Sequence, residues 1–338
     1  MRATATDGSH GGRPTFADRI GTGPVDRSTP PLTPAPTVPL GTLSFETLAS
    51  RLAQGRLGLR TGPFTFRIAS KEAVVAENLR LLYAHHPVTD NPPFADFHVA
   101  VVRPSSLRRW LRPQVDFRLD GYAPFLSLPA PQAFALLEWG MNWCIANHAH
   151  QYLLLHAAVL ARGDDAVLLP APPGAGKSTL CAYLAHRGWR LLSDELALID
   201  PASGRVFGLA RPVNLKNAAI DVIRDSLPEA VLNTPVPDTK KGTVAHLAPP
   251  AGAVAEVDRP ARLRWIVTPR YRADGELYTE RIPRPEALAM LIDNAFNYDV
   301  LGTTAFTALA DLVSHAPALD LCYARLDEAG EWFQALKA

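Results

Sequence analysis

The chain has 338 residues, 47% of them hydrophobic and 20% charged, with a formal net charge of +1. That length allows two domains of ordinary globular composition, and a charge so near zero excludes a general attraction to nucleic acid or an anionic membrane. The three cysteines, Cys144, Cys181 and Cys322, are too few and too scattered for a disulfide framework or a cysteine zinc site, which agrees with a reducing compartment.

Residues 1–40 contain seven prolines among Gly, Ser and Thr. Such a segment buries too little apolar surface to offset its ordering entropy, so a disordered tail is expected, with a docking role for the proline run as the alternative. MRATATDGSHGGRP at the start has no apolar run of a secretory signal, and no window nears the about 20 apolar residues of a membrane span. A cytoplasmic protein is the expectation.

Order is expected from about Leu43. SFETLASRLAQG (Ser44–Gly55) reads as a helix opened by Ser44 and stopped by Gly55. GPFTFRIAS (Gly62–Ser70), FADFHVAVVRP (Phe94–Pro104) and VDFRLDG (Val115–Gly121) alternate apolar and polar residues, as half-buried strands do. Residues 41–128 therefore predict a small β-rich α+β domain. PAPQAFALLEWGMNWCIANHAH (Pro129–His150) carries apolar residues at helical spacing behind Pro131, and residues 129–338 form the expected second domain.

YLLLHAAVLARGDDAVLLPA (Tyr152–Ala171) predicts strand, tight turn and strand, followed by a loop and a helix over Ser178–His186. WRLLSDELALID (Trp189–Asp200) adds two strands around an acidic pair, and RLRWIVTPRY (Arg262–Tyr271) another strand. Helices are expected near Pro285–Phe296 and Thr303–Ser314.

The strand, loop and helix over Ala166–Leu180 (AVLLPAPPGAGKSTL) carry the first chemical signal. A loop wrapped round a phosphate must turn successive amides inward, and Gly174 and Gly176 allow the positive φ this requires. A helix start adds its positive dipole end. The strand–loop–helix context makes Pro173, Gly174, Ala175, Gly176, Lys177, Ser178 and Thr179 a phosphate-binding P-loop for ATP. Lys177, expected to face solvent, reaches the β- and γ-phosphates, and the Ser178 hydroxyl ligates Mg²⁺. Ala171 replaces the usual first glycine, and Pro172 and Pro173 remove two amide donors.

Asp194 and Glu195 lie 17 and 18 residues beyond Lys177. That interval holds a helix, a turn and a strand returning parallel to the P-loop strand, so the acids fall at the carboxyl strand ends where ligands of open α/β sheets bind. A carboxylate there accepts a proton from an attacking hydroxyl or supports Mg²⁺. His156 is the lone polar residue in its apolar strand, a pattern more usual for a hydrogen-bonded core histidine than for a site residue. His148, His150 and His156 lack neighbouring acids at zinc-ligand spacing. A transferring phosphoryl group needs further cations, and the candidates are Arg211, Lys216, Lys240 and Lys241. The last two sit in a loop after TPVPD of a kind that can close over a substrate, and for each of the four cations an exposed solvated charge is the alternative reading. NAFNY (Asn294–Tyr298) reads as helix packing and capping.

The order LLLHAAVL, hairpin, PPGAGKST, LAHRGW and LLSDELALID resembles the HPr kinase/phosphorylase proteins, whose nucleotide domain is similar to that of PEP carboxykinases. With RPVNLKN, DTKKGTVAHL and DNAFNY added, the chain is closer still to the bacterial HPr-kinase-related kinase A group, from about Leu43 to Glu328. The resemblance implies an α/β fold with a P-loop, PEP-carboxykinase-like C-terminal domain. It makes Asp194 the general base, puts Glu195 in the neighbouring acidic position that supports the metal, and makes His156 and Lys177 site residues. It implies ATP and Mg²⁺, and a protein or peptide hydroxyl as acceptor, without nucleic acid or membrane; a homo-oligomer stays open. The family's downstream acidic, Arg- and Gly-containing signature has no counterpart in GLARPVNLKN, which argues against the reverse phosphorylase reaction and against HPr as acceptor. A small-molecule kinase of the same fold and a non-catalytic nucleotide-sensing module are the rival readings.

Overall fold

A computed structural model describes residues 36–104 and 113–336. The Pro-rich segment up to residue 35 lies outside the described residues. Leu40, at the end of the expected tail, is instead fully buried in the first core.

The first sheet and its helices run β1 (Val38–Pro39), α1 (Phe45–Ala53), β2 (Leu57–Thr61), β3 (Phe64–Ser70), α2 (Ala73–Leu82), β4 (Pro87–Asp90), β5 (Phe97–Val102), β6 (Gln114–Leu119), β7 (Leu128–Pro129) and α3 (Ala133–His148). The strand order is β1-β4-β2-β3-β5-β6-β7. Ser44 caps α1, its hydroxyl accepting from the Thr47 amide at 3.2 Å. In β3 the alternation seen in sequence becomes burial, with Phe64, Phe66 and Ile68 inward. α3, expected on the far side of a boundary at residue 129, buries Phe134, Leu137, Met141, Cys144 and Ile145 in the core of this sheet.

The remaining chain follows as β8 (Leu153–Leu155), β9 (Ala157–Arg162), β10 (Asp165–Pro170), α4 (Lys177–Ala185), β11 (Arg190–Ser193), β12 (Ala197–Ile199), β13 (Arg205–Phe207), β14 (Val213–Lys216), α5 (Ala218–Ser226), β15 (Val236–Thr239), β16 (Gly242–Leu247), α6 (Ala251–Ala255), β17 (Ala261–Tyr271), β18 (Tyr278–Ile282), α7 (Arg284–Asp293), α8 (Tyr298–Leu301), α9 (Thr303–His315), β19 (Ala318–Tyr323) and α10 (Leu326–Ala335). A nine-stranded mixed sheet has the path β11-β9-β10-β17-β13-β12-β8, with β19 also on β17 and β18 on β19. β14, β16 and β15 make a separate three-stranded sheet.

Both faces of the large sheet are covered, which explains why its central strands are apolar without alternation. On β10, Val167 and Leu169 join a core with α4, α5 and α10, while Ala166 and Leu168 join a second core with α7 and α9. The protein is thus a mixed α/β fold. β11 runs in the same direction as β10, as the spacing predicts, but β9 stands between them, antiparallel to both. No helix among the described residues is long and apolar enough to cross a membrane.

Candidate functional site

Two interruptions of the large sheet create the site. The run Tyr152–Leu160 is not one strand: it breaks at His156, so that β8 pairs with β12 while β9 pairs with β10 and β11. The partner run breaks at the same level, between β11 and β12, at Asp194, Glu195 and Leu196. There the Ser193 hydroxyl accepts from the Leu196 amide at 3.2 Å and closes the turn. Asn297 holds the other break, its Oδ1 accepting from the Leu154 amide at 3.0 Å and its Nδ2 donating to the Tyr152 carbonyl at 2.8 Å. The His156 amide donates to the Asn294 carbonyl at 2.8 Å. NAFNY is therefore a backbone clamp on β8 beyond simple helix packing.

At the end of β10 the chain turns through Pro172–Gly176 into α4. Gly174 and Gly176 have φ of +87° and +91°. A Cβ at Gly176 would lie 2.6 Å from the Tyr323 hydroxyl and 3.0 Å from Tyr271 Cβ, whereas at Gly174 it would meet open space. Tyr271 and Tyr323 are also the loop's anchors. The Tyr271 amide donates to the Ala175 carbonyl at 3.1 Å, and the Tyr323 hydroxyl to the Gly176 carbonyl at 3.3 Å. Ala171, just before the loop, is buried.

The loop opens on a cleft of about 920 Å³ whose lining includes His156, Pro173, Gly174, Gly176, Lys177, Ser178, Thr179, Glu195 and Lys216. Lys177 does not face solvent: it is 8% exposed, and its Nζ lies 3.2 Å from His156 Nε2. Burial lowers the Lys177 pKa, opposed by the charges of Asp194 and Glu195. Burial, reinforced by the Lys177 charge, lowers that of His156 to about 4. The neutral imidazole therefore offers Nε2 as acceptor to the ammonium at neutral pH.

The two acids have different surroundings. Asp194 is 5% exposed and does not line the cleft; its Oδ2 accepts from the Asn214 amide at 3.2 Å, and its Oδ1 is buried without a hydrogen-bond partner among the described residues. Burial raises its pKa to about 6 against the pull of Lys177. Glu195 does line the cleft. Burial raises its pKa too, but the Lys241, Lys216 and Lys177 charges outweigh that and hold it below its ordinary value. Of the adjacent pair, the side chain turned to the cleft is thus Glu195 rather than Asp194.

The expected cations divide. Lys216 lines the cleft. Arg211 does not: it is 5% exposed and spent on a buried network, with Nη2 2.7 Å from Glu138 Oε2 and Nε donating to the Tyr83 hydroxyl at 3.2 Å. Its Nη1 also donates to Asn142 Oδ1 at 2.5 Å, and Asn142 Nδ2 donates to Glu195 Oε2 at 2.7 Å. Arg211 thus reaches the cleft acid only through Asn142. Lys240 and Lys241 form the tip of the tight β15–β16 hairpin rather than a long closing loop, with Gly242 at φ +84°. Lys241 Nζ stands 5.3 Å over the Trp139 ring, and exposed Lys240 is outside the cleft lining.

Asn142, Asn214, Tyr271 and Tyr323 were not legible as site residues. Only Asn142 carried a signal, as an amide within the apolar helical run WGMNWCIAN. Among the described residues no group of three or more His, Cys, Asp or Glu is arranged to hold a metal. The chain matches no protein-family model and no curated protein.

Proposed function

We propose that the protein is an ATP-dependent, HPr-kinase-like P-loop phosphotransferase that moves the γ-phosphoryl group to a Ser/Thr-type hydroxyl of a protein or peptide. The observation that carries this reading is the Pro172–Gly176 turn. It places two positive-φ glycines between β10 and the N-terminus of α4, at the mouth of a large cleft shared with Lys177 and Glu195. Inward amides and a helix N-terminus favour a phosphate chain, and the Lys177 ammonium, aimed by His156, adds the cation that binds it.

In this reading the acceptor hydroxyl lies against Glu195. Its oxygen attacks the γ-phosphorus, the bond from that phosphorus to the β–γ bridging oxygen breaks, and ADP leaves carrying the charge; the hydroxyl proton passes to the Glu195 carboxylate. Asn142 orients that carboxylate and Arg211 holds Asn142. The base role moves from Asp194 to Glu195, because a 5% exposed carboxylate outside the cleft does not meet an incoming hydroxyl. The unpartnered Asp194 Oδ1 and the nearby Ser178 hydroxyl are hard oxygen donors that fit Mg²⁺, which characteristically takes one or two protein oxygens and completes its shell with phosphate and water. When bound there, Mg²⁺ supplies charge neutralisation for the phosphates.

Incubation with γ-labelled ATP, Mg²⁺ and cell lysate, followed by separation of macromolecules from metabolites, tests the proposal. Label on protein or peptide is expected. Label confined to metabolites makes the protein a small-molecule kinase, and nucleotide binding without transfer makes it a sensor.

A further inference from the structure

The cleft continues well past the groups needed for phosphate and acceptor. From Lys177 it follows α4 to Arg187, bounded by α5 on one side and the start of α10 on the other. Ten residues at about 1.5 Å each make this arm about 15 Å long, room for a nucleoside beyond a phosphate chain. The character of the walls changes along it. The near end holds His156, Lys177 and Lys216, whereas the far end presents Tyr183, Val222 and Leu326.

The far end is built to stay open and apolar. Tyr183 is 8% exposed, and its ring lies where a Cβ at Gly330 would approach within 2.8 Å, so α10 can pack close only because residue 330 has no side chain. The Arg187 guanidinium lies 5.2 Å from the centre of the same ring and lines the end of the arm. Val222 stands 42% exposed on α5, an apolar side chain lining this end of the cleft. Asp327 at the rim is engaged by Arg325, whose Nε donates to it at 3.1 Å.

Resting on the phosphate-loop reading above, we propose that this arm is a nucleoside site: the base of a nucleoside triphosphate lies between Tyr183, Val222 and Leu326 beside Arg187. The occupant is set by continuity, since the arm and the glycine loop are one cavity and a nucleotide held by its phosphates at the loop has its nucleoside directed along it. Apolar walls with an aromatic ring and a guanidinium beside them are an arrangement that takes an aromatic heterocycle.

The test compares ATP with inorganic tripolyphosphate, which shares the phosphate chain and lacks the nucleoside. Both are titrated with Mg²⁺ into the full chain, into Val222→Asp and into Leu326→Asp. Val222 is a surface position on α5, so its variant is expected to fold, as far-ultraviolet circular dichroism checks. The expected result is ATP binding at least tenfold weaker in both variants, with tripolyphosphate affinity changed less than twofold. Unchanged ATP affinity in a folded Val222→Asp protein overturns the nucleoside site and leaves the phosphate loop standing. It does so even if transfer to a peptide is lost, because the arm would then belong to the acceptor. Failure of the unaltered protein to bind either ligand overturns the phosphate-loop reading, and this proposal with it.

Discussion

Replacing Asp194 with Asn should stabilise the ligand-free protein at neutral pH while harming its activity. The carboxyl is buried, one oxygen has no partner, and its pKa rises from the ordinary 3.8 to about 6 even with Lys177 nearby. A folded-state pKa raised above the unfolded value gives a contribution fully present below pH 4 and lost as pH climbs through 6. At about 1.4 kcal/mol per unit, ionising this group costs the folded state about 3 kcal/mol at pH 7.5, but under about 1 kcal/mol at pH 4. Asn keeps the shape and removes the titration. Urea unfolding of both proteins at pH 4 and pH 7.5, without nucleotide or metal, should show Asp194→Asn gaining about 2–3 kcal/mol relative to the parent between the two conditions. Asp194 is coupled to the Lys177 and Glu195 charges that face it, so the difference reports residue 194 together with those neighbours. An equal stability difference at both pH values would refute the reasoning, and so would a variant less stable at pH 7.5 than at pH 4 relative to the parent.

Glu195→Gln should lower phosphoryl transfer by about 10²–10⁴-fold, the range for removal of a general base, while ATP affinity measured by calorimetry stays within a few-fold. Asn142→Ala removes the amide that donates to that carboxylate; kcat should fall by about tenfold with KM for ATP nearly unchanged, and the acid limb of the rate profile should move. Gly174→Ala and Gly176→Ala should separate in thermal unfolding. Both carry the cost of about 1–2 kcal/mol for positive φ, but only Gly176→Ala also drives a Cβ into the Tyr323 hydroxyl and Tyr271 Cβ.

Local pattern made much of the fold legible. Ser44 announces α1 because a hydroxyl can satisfy an orphan amide, and the alternation of Phe64, Phe66 and Ile68 marks β3 because one face is buried. The loop was equally readable, since positive φ at Gly174 and Gly176 is a backbone requirement that composition exposes. What escaped depends on distant partners. Nothing local says that Arg211 is consumed by Glu138, or that an asparagine in α3 carries its influence to Glu195. The break at His156 was hidden inside an unbroken apolar run, because it is set by Asn294 and Asn297, more than a hundred residues away. The same reason leaves the choice between the acids open in sequence: adjacent residues point apart, and only the packing decides which lines the cleft.

The central claim is that the Pro172–Gly176 loop and Lys177 hold the phosphates of a magnesium nucleotide. Calorimetric titration of Mg-ATP into the full chain and into Lys177→Ala tests it most directly. One site per chain in the parent is expected, with affinity at least tenfold weaker in the variant. No heat of binding in the parent, or the same affinity in both, would contradict it.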